Sequence, residues 1–111
     1  MRISHEDHGP TALVAVAGDL LSDDCEIYQR SVSERFDSGI CNIVLDVTGL
    51  ESIDSSGLEA LLWTVDEAAS RSGRMKLVGV AGVIDEVLRV TRLARRFDIE
   101  QSVESAARSL R

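Results

Sequence analysis

The chain has 111 residues, 44% of them hydrophobic, which suits one compact domain with a real core and leaves no room for a second. Its net charge of −7 argues against nucleic-acid binding, which needs a concentrated basic surface, and suits a protein partner with a basic contact face. No apolar run approaches the roughly 20 residues of a membrane helix, so no membrane insertion is expected.

The first residues, MRISHEDHGP, lack the basic start and apolar stretch of a signal peptide, and a cytoplasmic placement is the expectation. Ile3 to Asp7 is short and polar, as an edge strand would be, and Gly9-Pro10 reads as a hairpin turn. Thr11 to Ala17 is apolar on both faces, which predicts a strand covered on both sides, ended by Gly18-Asp19-Leu20-Leu21. Ser22, Asp23 and Asp24 are candidate helix caps, and Asp23 with Glu26 has capping-box spacing. Cys25, Tyr28, Val32 and Phe36 then fall on one helical face, closed by Ser38-Gly39.

Asn42 to Val47 is a nearly continuous apolar run, the mark of a central parallel strand, and Thr48 to Asp54 reads as the loop leaving it. From Ser56 a helical stripe of Leu58, Leu61, Leu62, Val65 and Ala69 runs to a stop at Ser72-Gly73. Met75 to Val80 predicts another buried strand. Gly82 leads into a third helix through Ile84, Val87, Leu88 and Thr91. Phe97 to Glu100 reads as a short last strand and Val103 to Leu110 as a terminal helix. Strands separated by helices imply right-handed crossovers. The expected fold is a single α/β domain over residues 1–111. Its mixed sheet would have four to five strands, a parallel core and an antiparallel edge strand, with about four helices.

In such sheets partners meet the loops at the carboxyl ends of the strands, and the loop after Asp46 delivers Asp54-Ser55-Ser56-Gly57 to a helix start. Free backbone N–H groups and the positive end of the helix dipole converge there. A phosphate on Ser55 would find those donors and add about −1.5 to −2 charges beside Asp54 and Glu59. A partner docked over that point would then face desolvated, repelling charge. Ser56 to Glu59 also has the S-x-x-E spacing of a capping box, which asks for no function, but one cap does not require two serines. Ser55 is the residue that capping leaves over.

Trp63, the only tryptophan, falls off the apolar stripe. It reads equally as an interface anchor and as a ring folded over a neighbouring helix. Arg89, Arg92, Arg95 and Arg96 form a basic patch, with Arg89, Arg92 and Arg96 on one face if their helix extends that far. Such patches mostly pair with nearby carboxylates. Cys25 and Cys41 lack the spacing of a metal site or disulfide framework and read as small buried hydrophobes. His5 and His8, three apart in a strand, point to opposite faces and make no metal pair. Asp46 invites comparison with phosphorylated receiver aspartates, but no acidic pair follows the first strands to hold a metal. No G-x-S-x-G and no glycine-rich phosphate loop is present. No catalytic constellation, metal or cofactor is expected.

Leu45-Asp46-Val47-Thr48-Gly49-Leu50, a two-residue gap, then Ile53-Asp54-Ser55-Ser56-Gly57-Leu58 closely resembles the STAS domain of anti-sigma factor antagonists. The resemblance takes in Gly18-Asp19-Leu20, Met75 to Val80, Val87 to Leu93, Phe97 to Ile99 and Ser102 to Ala106, nearly the whole chain. It implies an antagonist that captures an anti-sigma factor acting as a serine kinase while unphosphorylated. Phosphorylation at Ser55 would release it, and a serine phosphatase would reset it. Asp54, Ser56, Gly57, Glu59, Trp63 and Asp19 would join Ser55 in contacting the partner, with Gly57 letting the partner's backbone approach. Leu21 and Glu59 stand where such antagonists often carry an acidic and a small residue. They motivate a second expectation, a non-switching STAS module serving a transporter or a larger signalling scaffold.

Overall fold

Gly9, at φ +60°, and Pro10 make the tight turn that folds β1 (Arg2–His8) back on β2 (Thr11–Leu20), with His8 opposite Thr11. The computed structural model, which describes residues 1–110, continues from this hairpin through a short 3-10 turn (Ser22–Asp24) into α1 (Cys25–Asp37). Then follow β3 (Asn42–Asp46), β4 (Leu50–Ile53), α2 (Ser55–Ser70), β5 (Met75–Val78) and α3 (Gly82–Val90). A second 3-10 turn (Ala94–Arg96), β6 (Asp98–Glu100) and α4 (Val103–Ser109) complete the order. The sheet runs β1-β2-β3-β5-β6, parallel throughout except for the antiparallel edge strand β1.

The five-strand path and four helices match the expected architecture, and one strand is added to it. Leu50–Ile53 is not loop: it is β4, pairing in parallel with Gly18, Asp19 and Leu20 of β2. β2 correspondingly does not break at Gly18. It passes a register shift at Gly18/Asp19 and runs to Leu20, pairing first with β3 and then with β4. This extension carries the end of β2 alongside the start of α2.

The two faces of the sheet are unequally filled. Ala12, Val14, Val16, Ile43, Leu45 and Leu77 point to the face covered by α1, α2 and α3, where Tyr28, Val32, Phe36, Leu58, Leu61, Ile84 and Leu88 complete the main core. The other face is covered by α4 alone, over a small cluster of Val44, Val78 and Ala106 with Leu13, Val103 and Leu110. Double coverage of β2 is thus incomplete, since Ala15 and Ala17 on that face are only half-buried. Lys76 is buried there and pairs with Asp98 and with Glu100 at 3.8 Å. Thr64 is fully buried on α2, whereas Leu62 and Val65 pack against the core half-buried and Ala69 is exposed. The Thr64 hydroxyl donates to the Ala60 carbonyl at 2.9 Å and meets the Tyr28 phenol of α1 at 2.6 Å.

The arginine patch does not share a helical face, because α3 stops at Val90 and Arg92 takes φ +60°. Arg89 pairs with Asp85 and Arg96 with Asp66, each at 3.1 Å. Cys25 and Cys41 are half-buried rather than buried. Among the described residues no helix is long and apolar enough to cross a membrane.

Candidate functional site

The loop after β3 is braced by the strand's last residue. Asp46 Oδ1 accepts from the Thr48 backbone N–H at 2.9 Å and from its hydroxyl at 2.6 Å. That brace occupies Asp46 and turns the chain towards β4, where the Gly49 carbonyl accepts from Gly18 N–H at 2.9 Å. β4 then delivers Asp54 in an extended conformation (φ −102°, ψ −175°), the backbone geometry of a helix N-cap.

Asp54 is the cap, and Ser56 is not. The helix begins at Ser55, so the Gly57 N–H is the orphan donor at its third position, and Asp54 Oδ1 accepts it at 2.8 Å. Ser56 falls inside the first turn, and the Ser56–Glu59 capping box suggested by spacing does not form. The second oxygen of Asp54 is also used: Oδ2 accepts from the Ser22 N–H at 2.9 Å. The Asp54 N–H in turn donates to the Leu20 carbonyl at 3.4 Å. The start of α2 is thereby fastened to the end of β2.

Gly57 is explained by the same closeness. A Cβ there would lie 2.2 Å from the Leu20 oxygen and 2.7 Å from Ile53 Cγ1. Gly57 is buried and its bare backbone serves the chain's own packing, so the expected approach of a partner's backbone at Gly57 does not follow.

Ser55 is exposed on the first residue of α2, and Glu59, one turn on, is exposed on the same side. Ser56 is half-buried. Asp19 is exposed at the end of β2 and accepts from the Ser52 hydroxyl at 2.6 Å, directly across from it in the β2–β4 pairing. The structure therefore gathers Asp19, Asp54, Ser55 and Glu59 at one end of the sheet. Trp63 stands apart: eight residues along the helix is about 12 Å from Ser55. It is half-buried against the main core.

The turn beside this site holds the candidate caps Ser22, Asp23 and Asp24, with a pairing other than the one expected. Leu21 N–H donates to Asp24 Oδ2 at 3.1 Å, Asp24 N–H donates back to the Leu21 carbonyl at 2.9 Å, and the Cys25 thiol donates to that carbonyl at 3.3 Å. The Asp23–Glu26 box does not form; Asp24 is the acid that closes the turn. Its signal was present as the three-residue spacing from Leu21 to Asp24, hidden because leucine is a poor cap by type. Burial pushes the Cys25 thiol up from its ordinary range, and Asp54, Asp24 and Glu59 push it further in that order. The negative charge of two separate segments thus acts on one thiol.

The STAS domain family model matches residues 2–106. The chain belongs to the STAS family. No curated protein matches its sequence. Among solved structures it is similar to the protein TM1081 of Thermotoga maritima, with TM-score 0.88, 20% identity, and coverage of 97% of this chain and 93% of that one. The Bacillus anti-sigma factor antagonist SpoIIAA in its phosphorylated form is similar at TM-score 0.76 and 20% identity, over 99% of this STAS chain and 100% of that one. The murine anion transporter Slc26a9 carries a similar unit, at TM-score 0.74 and 18% identity over 88% of this chain and 17% of that one. At these identities the likeness is one of fold. Ser55 and its surroundings acquire their meaning from this chain's own geometry.

Proposed function

We propose that this STAS domain is an anti-sigma factor antagonist of a bacterial partner-switching pathway. It binds an anti-sigma factor that is also a serine kinase while Ser55 is unmodified, and it is released when Ser55 is phosphorylated. A serine phosphatase reverses the modification, and the output is transcription. The observation that carries this reading is the placement of Ser55. Its hydroxyl is exposed at the first residue of a capped helix, at an end of the sheet that already holds Asp19, Asp54 and Glu59. The fold likeness to the antagonist SpoIIAA, solved in unphosphorylated and phosphorylated forms, supports it.

The chain acts as a phosphoacceptor and docking module, not as an enzyme, and requires no cofactor. Transfer would form a bond from Ser55 Oγ to the γ-phosphorus of ATP and break that phosphorus's bond to ADP. The kinase supplies the nucleotide and the base that takes the hydroxyl proton. The product places about −1.5 to −2 charges where the partner's face must lie, among carboxylates that already repel them. Binding is lost because docking must desolvate that doubly negative group beside Asp54 and Glu59, and the bulk of the phosphate holds the partner's face off the helix start.

Incubation with the cognate kinase and ATP, followed by site-resolved mass spectrometry, tests the proposal. Phosphate on Ser55, absent from Ser55→Ala, is the expected result. No phosphate on Ser55, together with wild-type partner binding by Ser55→Asp, overturns it. The similar unit within an anion transporter favours one alternative, a non-switching module attached to a transport protein or scaffold. Co-purification of a membrane transport protein in place of a kinase would favour that alternative.

A further inference from the structure

We propose that Asp54 is a positioning residue that couples the state of Ser55 to the Leu21–Asp24 turn. A phosphate on Ser55 would then reshape a second, apolar part of the docking surface. The inference deepens the reading of Ser55 as a phosphoacceptor and rests on it only for the natural source of the phosphate.

Each carboxylate oxygen of Asp54 has a separate task. Oδ1 holds the Gly57 N–H and so starts α2, while Oδ2 holds the Ser22 N–H and so fixes the turn that follows β2. Both are charge-assisted bonds, stronger than neutral ones, and they draw on one carboxylate whose position is set from both sides. Asp54 is therefore held in place from two segments at once. Its two bonds make the turn and the helix start one rigid unit.

That turn displays Leu21, which is 38% exposed and one of few large hydrophobic side chains left at the surface. Leu21 is held there on both its backbone groups, through Asp24 and Cys25. Asp23 and Asp24 follow it in the same turn, and Asp54 is bonded to the N–H of the next residue, Ser22. The combination is an apolar knob flanked by carboxylates. It fits a partner protein offering a shallow apolar pocket rimmed by lysine or arginine.

A phosphate on Ser55 sits one residue from Asp54 and competes for the same first-turn amides. Like-charge repulsion then bears on the Asp54 carboxylate, and the bond to give way is the one to Ser22, which is not confined within the helix. Release of Ser22 loosens the seat of Leu21. The partner meets two changes together, a new charge and a displaced knob.

The test uses this protein alone. Phosphoserine is installed at position 55 during translation, and amide hydrogen exchange is followed by NMR in the modified and unmodified proteins, each with and without Asp54→Asn. Asparagine keeps the Gly57 cap but presents an amide nitrogen, which cannot accept, to Ser22. The expected result is tenfold or faster exchange at Ser22 in Asp54→Asn, with Gly57 still protected. Phosphoserine 55 should produce the same acceleration at Ser22 in the wild-type background and little further change in Asp54→Asn. Unchanged exchange at Ser22 on phosphorylation overturns the proposal. So does acceleration of equal size in both backgrounds, which would mean that the phosphate acts by another route. Because the phosphate is introduced without a kinase, failure here is distinct from failure of a kinase to modify Ser55.

Discussion

Two helices of this domain begin with a side-chain cap, and the caps are built differently. At α4 the Ser102 hydroxyl accepts the Ser105 N–H at 3.1 Å, and the Ser105 hydroxyl accepts the Ser102 N–H at 3.4 Å. That exchange closes within four residues. At α2 the Asp54 carboxylate accepts Gly57 with one oxygen and reaches back 32 residues to Ser22 with the other. Beyond its own helix the α4 cap reaches only Glu100, five residues back, to which the Ser105 hydroxyl donates at 3.3 Å, so it can fray with little effect elsewhere. A shared cap ties the stability of two segments together, so a disturbance at either is felt at both. The proposed phosphoacceptor, Ser55, adjoins the shared cap, where a small covalent change would have the longer reach.

Gly57→Ala should disturb the shared cap most. The added methyl would sit 2.2 Å from the Leu20 oxygen, a backbone atom that cannot swing aside, so β2 and α2 must part. A loss of about 3 kcal/mol is expected in urea denaturation, with Ser22 and Gly57 amides exposed together. A cost below about 1 kcal/mol would show that the two segments separate easily and that their rigid union is overstated. Asp54→Ala should follow at about 2 kcal/mol, the sum of a lost cap and a lost charge-assisted bond. Ser102→Ala, which removes only a local cap, should cost about 1 kcal/mol and leave amides outside α4 and its flanks unchanged. Equal costs and equally local effects would erase the distinction between the two helix starts.

How much of this was legible beforehand can be read from the same residues. The apolar run of β3, the helix stops and the D-S-S-G-L segment were visible because periodicity and turn chemistry act locally. β4 was not, because Leu50-Glu51-Ser52-Ile53 is only four residues long and becomes a strand by meeting a part of β2 beyond a register shift. The cap was ambiguous for a related reason. Asp54 with Gly57 and Ser56 with Glu59 have the same spacing, and only the start of the helix at Ser55 decides between them. Thr64 was passed over as polar, since its burial is made tolerable by Tyr28, 36 residues away. β4 and Thr64 failed to show because each depends on a partner distant in sequence, whereas the two helix starts were local and misassigned by residue type and spacing.

That Tyr28–Thr64 contact is a second tie on α2, and it sharpens the contrast with α4 through pH. Burial raises the Tyr28 phenol above its ordinary value near 10, with the Thr64 hydrogen bond opposing and the Cys25 charge adding to the rise. A raised acid is neutral in the folded state while the unfolded chain ionises. Its contribution is therefore intact below about pH 10 and lost as pH rises beyond that. Cys25, raised from 9.0, starts the same decline earlier. Tyr28→Phe should cost about 1 kcal/mol at neutral pH for the lost hydrogen bond and flatten the decline above pH 10. Thermal unfolding between pH 7 and 11 would reveal it, and a decline of unchanged slope in the variant would assign the alkaline loss to other groups.

The smallest expected effects fall on the two serines, and they decide whether Ser55 belongs to the fold or to the function. Were Ser56 the cap, Ser56→Ala would cost about 1 kcal/mol; with Asp54 as cap the cost should stay below about 0.5 kcal/mol. Ser55→Ala should be as small or slightly stabilising, because the side chain is exposed and alanine is the better helix former. Only Ser55→Ala should abolish phosphorylation. A residue whose removal leaves the urea midpoint in place yet ends modification is held there by its chemistry with a partner, not by the packing of its own chain. Should Ser55→Ala instead lower stability by a full kilocalorie, the hydroxyl would be part of the helix start. The exposed placement that supports the proposed role as phosphoacceptor would then have a structural cause.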